Sequence, residues 1–354
     1  MTQEITKVKN KRNYCLGFFQ GLACILIIFM HAKFPGEFGL AIESLARFGV
    51  PLFFMVSGYY LISENSSLEE VRAKLKKRIF KILIIYLIAA TLQDIFSLIG
   101  AAQLGATKEW FLEIFSWQNI LYFIFCNRPF VCVAYWFLLA MINAYIILYI
   151  FARHFINKKI LPIIFATLAI VVISFRTCVL AFDININGYS LANGDLYHTW
   201  YANGLIFMCF GIILRRYTDK LLFVPSWALL LTIFIGLFAM VGEGFLYNHL
   251  FGRGLAYYIF SVVTASSMIV LSLKHPLRFS KFIFAKFPDD WTMLVYVLHP
   301  GIIFAVEYAL QAHMPKDVFA WTYPLIVMIL TVLVAVLIAI LLKLIKNIRK
   351  QKQE

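Results

Sequence analysis

Ten apolar runs, most of them long enough to cross a lipid bilayer, constrain the fold of this chain more than any other feature. A helix needs about 20 mostly apolar residues to cross the hydrocarbon core. The runs cover residues 14–33, 44–62, 79–99, 130–151, 160–182, 200–214, 222–242, 254–273, 291–310 and 320–342. Since 62% of the residues are hydrophobic and only 14% are charged, a water-soluble globule is excluded. We predict an all-α integral membrane protein with about ten transmembrane helices.

The distribution of lysine and arginine predicts which side of the membrane each segment faces. The formal net charge of +14 is also compatible with a nucleic-acid binder. If residues 1–13 are cytoplasmic, however, the cytoplasmic segments hold 25 of the 32 basic residues, and the other side with its helix ends holds 7. Cytoplasmic loops of membrane proteins carry such an excess. We therefore predict that both termini are cytoplasmic and that membrane lipid, not nucleic acid, surrounds the protein.

One membrane domain accounts for nearly the whole chain. We assign residues 14–345 to it, between a basic cytoplasmic tail at 1–13 and another at 346–354. The aromatic, amphipathic segment 110–126 is predicted to be interfacial or re-entrant, and an additional span is the alternative. The six cysteines are scattered through apolar stretches without a CxxC pair, so we expect small apolar side chains and no metal site.

Two histidines lie within apolar runs, where ionisable groups are costly and are candidates for function. His31 ends the first run, and Gln20 lies eleven residues earlier on the same helix face, about 16 Å away. His299 lies about 12 Å into its run, with Tyr296 on the same face. The structural alternatives are an interfacial helix-end histidine for His31 and a hydrogen-bonded packing histidine for His299. By helix rise alone the two histidines lie at different depths, so a shared site requires a tilt, a kink or a water-filled funnel.

Further candidate residues lie in the second apolar run and just before it, beginning with Arg47. It is one of the few basic residues on the outer side, so we expect it to pair with another group or to bind an anion; the alternative is an arginine that reaches the lipid headgroups. Pro51 predicts a kink and frees a backbone carbonyl. Ser57 and Gly58 allow a close approach of another backbone. The outer loop 183–200, rich in asparagine, aspartate and aromatic residues, either contacts a sugar or is an ordinary solvated loop.

Several blocks of the chain resemble the acyltransferase-3 family, bacterial ten-span proteins that O-acylate cell-surface sugars. The blocks are Gly21–Ala23 with His31, Arg47 with Val50–Phe54 and Ser57–Tyr59, Tyr135–Leu138 with Ala140, Asn203–Leu205 with Gly211, and Tyr296–His299. The chain departs from the family at two informative positions. Gln20 stands where the family usually has a basic residue that helps to hold the acyl donor, and Ala134 stands where it often has histidine.

The resemblance implies an O-acyltransferase, most commonly an O-acetyltransferase, in the bacterial inner membrane. Its donor would be acetyl-CoA or another cytoplasmic acyl-CoA, with no permanently bound cofactor. Its acceptor would be a hydroxyl of a surface polysaccharide, a lipopolysaccharide or a lipid-linked glycan. We expect catalysis by His31 as general base, with Arg47 and His299. We expect substrate binding by Ser57, Tyr59, Trp136, Asn203 and Tyr296, and Gln20 on the donor side.

Two other functions are compatible with ten spans and a few buried polar groups. One is a transporter or flippase for a lipid-linked or small acidic substrate, which would move its substrate without acyl transfer. The other is a catalytically inactive partner in glycan synthesis, favoured by the departures at Gln20 and Ala134. Acidic residues within the runs are sparse, with Asp94 and Glu307 near helix ends. Because they offer little machinery for proton coupling, we favour the enzyme over the transporter.

Overall fold

The computed structural model describes residues 12–63, 66–157, 160–182, 184–186, 189–190, 196–252, 258–286 and 291–351. Most of these residues are helical, and a short antiparallel pair, Asn185–Ile186 with Tyr189–Ser190, lies in the predicted outer loop. Most of the predicted amino-terminal tail and the last three residues of the carboxy-terminal tail lie outside the described ranges.

The helices of the described ranges are numbered here in chain order. They are α1 (Tyr14–His31), α2 (Gly36–Ala46), α3 (Gly49–Tyr59), α4 (Leu68–Gln103), α5 (Thr107–Ile114), α6 (Trp117–Cys126), α7 (Trp136–Ile150), α8 (Ala152–Asn157), α9 (Ile160–Ala181), α10 (Leu205–Arg216), α11 (Thr218–Leu221), α12 (Ser226–Phe251), α13 (Ile259–Lys274), α14 (Ile283–Lys286), α15 (Trp291–Leu310) and α16 (Lys316–Gln351). A 3₁₀ turn at Val133–Tyr135 precedes α7, and a π-helical turn at Trp200–Gly204 precedes α10.

The helical membrane architecture is confirmed. Within the described ranges, seven segments are long and apolar enough to cross a membrane: Tyr14–His31, Gly36–Tyr59, Leu68–Gln103, Val133–Ile150, Ser226–Phe251, Trp291–Leu310 and Lys316–Ile345. The other three predicted runs coincide with shorter helical segments, namely the apolar part of α9, α10 and α13. The count of ten spans therefore stays a prediction.

The predicted sidedness is tested by a reporter that is active only outside the cytoplasm. Fused after Glu354, it is expected to be silent, because the excess of basic residues retains the carboxy-terminal tail in the cytoplasm. The same reporter inserted in the predicted outer loop after Gly194 is expected to be active. Activity after Glu354 would overturn the even number of spans.

The second predicted span is interrupted. α2 and α3 are separated by a turn at Arg47 and Phe48, so this helical pair begins earlier than the predicted run. Pro51 lies in the first turn of α3, where a residue without an N–H costs no intrahelical hydrogen bond. The break therefore precedes the proline, and the kink predicted at Pro51 itself is replaced by a helix start. The segment 110–126 covers the end of α5 and all of α6, and each helix is too short to span a bilayer.

Helix α1 lies at the centre of the packing that positions the candidate residues. It contacts α2, α3, α13, α14, α15 and α16. Elsewhere α3 packs against α10, and α4 packs against α7. As a result, the carboxyl end of α1, the break between α2 and α3, and the start of α7 come to lie around one region.

Two glycines set the close approach of α3 and α10. A Cβ atom added at Gly58 would fall on the carbonyl of Met208, and one added at Gly211 would fall on the carbonyl of Met55. Each clash is with backbone, which side-chain rotation cannot relieve. The close approach predicted around Gly58 is thus found, and α10 is the partner.

Substitution at this contact should destabilise the protein. Gly211→Val is expected to lower the free energy of unfolding by about 3 kcal/mol, since overpacking forces the two helices apart. The measurement is the melting temperature and the monodisperse fraction after detergent extraction. Gly100→Val is the matched control, because nothing lies within 4 Å of a Cβ at that position in α4. Equal losses for both variants would contradict the assignment.

Candidate active site

His31 and His299 lie side by side, although helix rise alone placed them at different depths. The packing of α1 against α15 brings the centroids of the two imidazole rings to 5.2 Å. The side chain of His31 is exposed, whereas His299 is only 1% exposed. Among the described residues, no group outside its own helix donates to or accepts from the ring of His299. His299 is thus a buried imidazole beside His31, and both roles predicted for it, packing and pocket lining, stay predictions.

Arg47 belongs to a charged cluster beside the histidines. Its Nη2 lies 2.5 Å from Oε1 of Glu43, whose Oε2 is 2.8 Å from Nζ of Lys33. The guanidinium also lies 5.8 Å from the ring centroid of Tyr258. The side chain of Arg47 is 14% exposed, so it is held within the protein. Sequence analysis expected Arg47 to pair with another group or to bind an anion, and it did not identify Glu43 as the partner, which the four-residue spacing in the chain could have indicated.

A cavity of about 340 Å³ opens beside His31; we call it the His31 cavity. Among the residues that line it are His31, Arg47, Glu43, Trp136, His198 and Tyr296. They come from α1, from α2 and the break that follows it, from α7, from the loop before the π-helical turn, and from α15. The cavity therefore combines two imidazoles, a guanidinium and a carboxylate with an aromatic wall. Its volume is in the range of small-molecule sites.

A second cavity, of about 360 Å³, lies towards the carboxyl end of α3; we call it the Arg78 cavity. Its polar lining includes Gln20, Ser57, Arg78 and Lys81. Arg78 donates from Nη1 to the carbonyl of Ser57 at 2.9 Å and from Nη2 to that of Tyr60 at 3.3 Å. These bonds satisfy carbonyls at the end of α3, as basic side chains commonly do at helix carboxyl ends. Gln20 thus faces a cavity that already contains two cationic side chains.

Phe137 and Tyr296 line both cavities and form a partition between them. Their ring centroids are 5.2 Å apart. Two hydrogen bonds connect the elements that carry these two rings. The hydroxyl of Tyr296 donates to the carbonyl of Ala134, and the hydroxyl of Tyr135 donates to the carbonyl of Val297 at 2.9 Å. The start of α7 is therefore tied to α15, and two aromatic rings separate the two cavities.

The other residues predicted to bind substrate do not share one cavity. Trp136 lines the His31 cavity, whereas Ser57 lines the Arg78 cavity. Tyr59 is not among the lining residues of either cavity, and its hydroxyl contacts the Thr218 hydroxyl and a guanidinium nitrogen of Arg215, each at 3.2 Å. Ser57 and Tyr59 are thus not brought together with Arg47, because the length of α3 separates them.

Asn203 is fully buried and orders a loop next to the His31 cavity. Its side-chain Nδ2 donates to the carbonyl of Tyr197 at 2.9 Å, and its backbone N–H donates to the carbonyl of Thr199 at 3.0 Å. Between these two residues lies His198, whose ring stacks on Trp136 at a centroid distance of 4.7 Å and an angle of 23°. Burial, assisted by neighbouring positive charges, holds the pKa of His198 below its ordinary value. Sequence analysis did not single out His198; its only signal was the polar and aromatic composition of the loop.

A comparison with protein families identifies the family of the chain. The acyltransferase-3 model, described as an acyltransferase domain, matches residues 13–340. A comparison with curated proteins found no match, and neither did a comparison with solved structures. The matched range covers nearly the whole chain and contains every lining residue of the two cavities. The chain therefore belongs to the acyltransferase-3 family.

Proposed function

We propose that this protein transfers an acyl group, in the first instance acetyl, from cytoplasmic acyl-CoA to a hydroxyl of a surface or lipid-linked glycan. Family membership and the long apolar helices establish a membrane acyltransferase. The observation that carries the finer proposal is the pair of cavities that meet at Phe137 and Tyr296. One contains cationic side chains suited to a phosphorylated donor, and the other contains His31, whose imidazole is suited to deprotonating an alcohol.

The Arg78 cavity is the proposed donor site. Arg78 and Lys81 carry positive charge that can pair with the phosphates of acyl-CoA. Both belong to the basic segment that the charge distribution assigns to the cytoplasmic side, where acyl-CoA is available. Apolar side chains such as Phe53 and Met141 line the same cavity and suit the slender acyl and thiol-bearing end of the donor. The thioester would then reach the reacting groups past the partition formed by Phe137 and Tyr296.

The His31 cavity is the proposed site of chemistry and of acceptor binding. His31 takes the proton of the sugar hydroxyl while its oxygen attacks the thioester carbonyl. Arg47 stabilises the negative charge that develops on the carbonyl oxygen. The new ester bond forms, the carbon–sulfur bond breaks, and the CoA thiolate accepts the proton from His31. The ring of His299 adjoins that of His31. It can accept a hydrogen bond from His31 once His31 is protonated.

The direct test uses the purified protein in proteoliposomes with acetyl-CoA labelled in the acetyl group. The acceptor is the isolated surface glycan of the source cell, stripped of its esters by mild base. The proposal predicts equal amounts of labelled ester in the glycan and of free CoA. Label that crosses the bilayer without forming an ester would indicate a transporter. Neither transfer nor transport would indicate an inactive partner in glycan synthesis.

The charge at position 20 should tune donor affinity. Gln20→Arg is expected to lower the KM for acetyl-CoA several-fold, and Gln20→Glu to raise it, because this side chain faces the Arg78 cavity and the donor is anionic. Gln20→Met, similar in size and uncharged, is the control and should leave the KM near that of the unsubstituted protein. The measurement is initial rate against acetyl-CoA concentration at fixed glycan. If the KM for acetyl-CoA is the same in Gln20→Arg and Gln20→Glu, the donor binds elsewhere.

A further inference from the structure

We propose that the stacked pair of Trp136 and His198 is the acceptor subsite of the His31 cavity, in which His198 binds a sugar hydroxyl and positions the glycan for attack. This inference rests on the proposed acyl transfer and assigns a binding role to a histidine outside the matching sequence blocks. Both residues line the cavity that contains His31 and Arg47. The subsite therefore adjoins the reacting groups.

Hydrogen bonds on both sides of His198 fix the loop that carries it to its surroundings. The side chain of Asn203 donates to the carbonyl of Tyr197, and the backbone N–H of Trp200 donates to Oδ1 of Asn127 at 2.9 Å. Tyr197 and Asn203 are buried. A binding group must be kept in place before its ligand arrives if it is to orient that ligand efficiently. The hydrogen bonds on both sides of His198 provide that order.

The contact of His198 with Trp136 uses a face of the imidazole ring and not the edge that carries the nitrogens. Its ring is nearly parallel to the indole of Trp136, so one ring face is covered and the nitrogens remain at the edge. In the described part of the chain His198 makes no side-chain hydrogen bond, whereas its neighbour Thr199 uses its hydroxyl to accept from the N–H of Ala202. A histidine placed only to pack would not need a free polar edge beside a cavity.

The chemistry of this pair suits a sugar. A neutral imidazole offers one hydrogen-bond donor and one acceptor, and a hydroxyl group can satisfy both kinds of partner. Burial and the positive charges of Arg176 and Arg47 favour the neutral form of His198. Trp136 supplies the broad apolar surface against which the C–H face of a sugar ring can pack. His31 remains free to take the proton of the reacting hydroxyl, so the two histidines bind or activate different parts of one acceptor.

Two substitutions separate this binding role from simple packing. His198→Phe keeps an aromatic ring on Trp136 but removes both hydrogen-bonding nitrogens. His198→Gln keeps a donor and an acceptor but removes the aromatic ring. If His198 only packs, the phenylalanine variant should behave like the unsubstituted protein and the glutamine variant should be damaged. If His198 binds a hydroxyl, the order is reversed.

The experiment measures KM for the base-treated surface glycan and for acetyl-CoA, with the full-length protein in proteoliposomes. We expect His198→Phe to raise the KM for the glycan about 10-fold, because one or two good hydrogen bonds to the glycan are lost. The KM for acetyl-CoA should stay unchanged. His198→Gln should restore at least part of the glycan affinity. His313→Phe, at an exposed position outside both cavities, is the matched control. An unchanged glycan KM in His198→Phe would overturn the subsite, as would an equal rise in the acetyl-CoA KM. Absence of transfer by the unsubstituted protein would instead overturn the proposed function itself.

Discussion

Replacement of His31 by alanine is expected to reduce acyl transfer by about 10²–10⁴-fold, the usual contribution of a general base. The imidazole is exposed to the His31 cavity and adjoins the ring of His299. Its removal therefore eliminates the proton acceptor without leaving a buried residue in a void. The measurement is the rate of labelled ester formation at saturating acetyl-CoA and glycan, together with the melting temperature of the variant.

The matched control for this prediction is His313→Ala, which removes an exposed imidazole outside the cavities. It should transfer acetyl groups at the rate of the unsubstituted protein. Normal transfer by His31→Ala would end its assignment as the base and move attention to His299 and His198, the nearest other imidazoles. A rate that falls together with the melting temperature would show that His31 supports the fold, which contradicts its exposure to the cavity.

Replacement of Arg47 by alanine is expected to lower kcat by about 10²–10³-fold, the effect of removing one donor to a developing oxyanion. Lysine at this position should recover only part of the rate, because a single ammonium does not reproduce the planar guanidinium that faces Glu43 and Tyr258. The KM for acetyl-CoA is expected to change little, since the interaction with the oxyanion exists only in the transition state.

The ion pair with Glu43 offers a decisive control for Arg47. If Arg47 serves only to neutralise Glu43, then removing both residues in Arg47→Ala/Glu43→Ala should restore transfer. If Arg47 acts on the reacting carbonyl, the double variant stays as slow as Arg47→Ala. Glu43→Ala alone should cost less, because Glu43 orients the guanidinium but is not itself a donor to the oxyanion. Restored transfer in the double variant would contradict the catalytic role of Arg47.

Sequence analysis anticipated the residues whose chemistry conflicts with their surroundings. His31 and His299 stood out because imidazoles are rare within apolar helices, and Arg47 because it is one of the few basic residues on the predicted outer side. His198 did not stand out, since a histidine in a polar loop conflicts with nothing. Yet His198 lines the same cavity as Ala134, the position at which the family often has histidine. The cavity that contains the alanine of this departure is thus lined by an imidazole from another element.

The sequence by itself determined that the chain forms long apolar helices, because length and hydropathy are local properties of each run. It also determined the family and the main polar candidates, since the matching blocks are short and contiguous. Only the tertiary structure decided that His31 adjoins His299, that Ser57 and Tyr59 lie away from Arg47, and that two cavities meet at Phe137 and Tyr296. The reason is physical: helix tilt, crossing points and breaks such as that at Arg47 and Phe48 depend on packing between residues far apart in the chain.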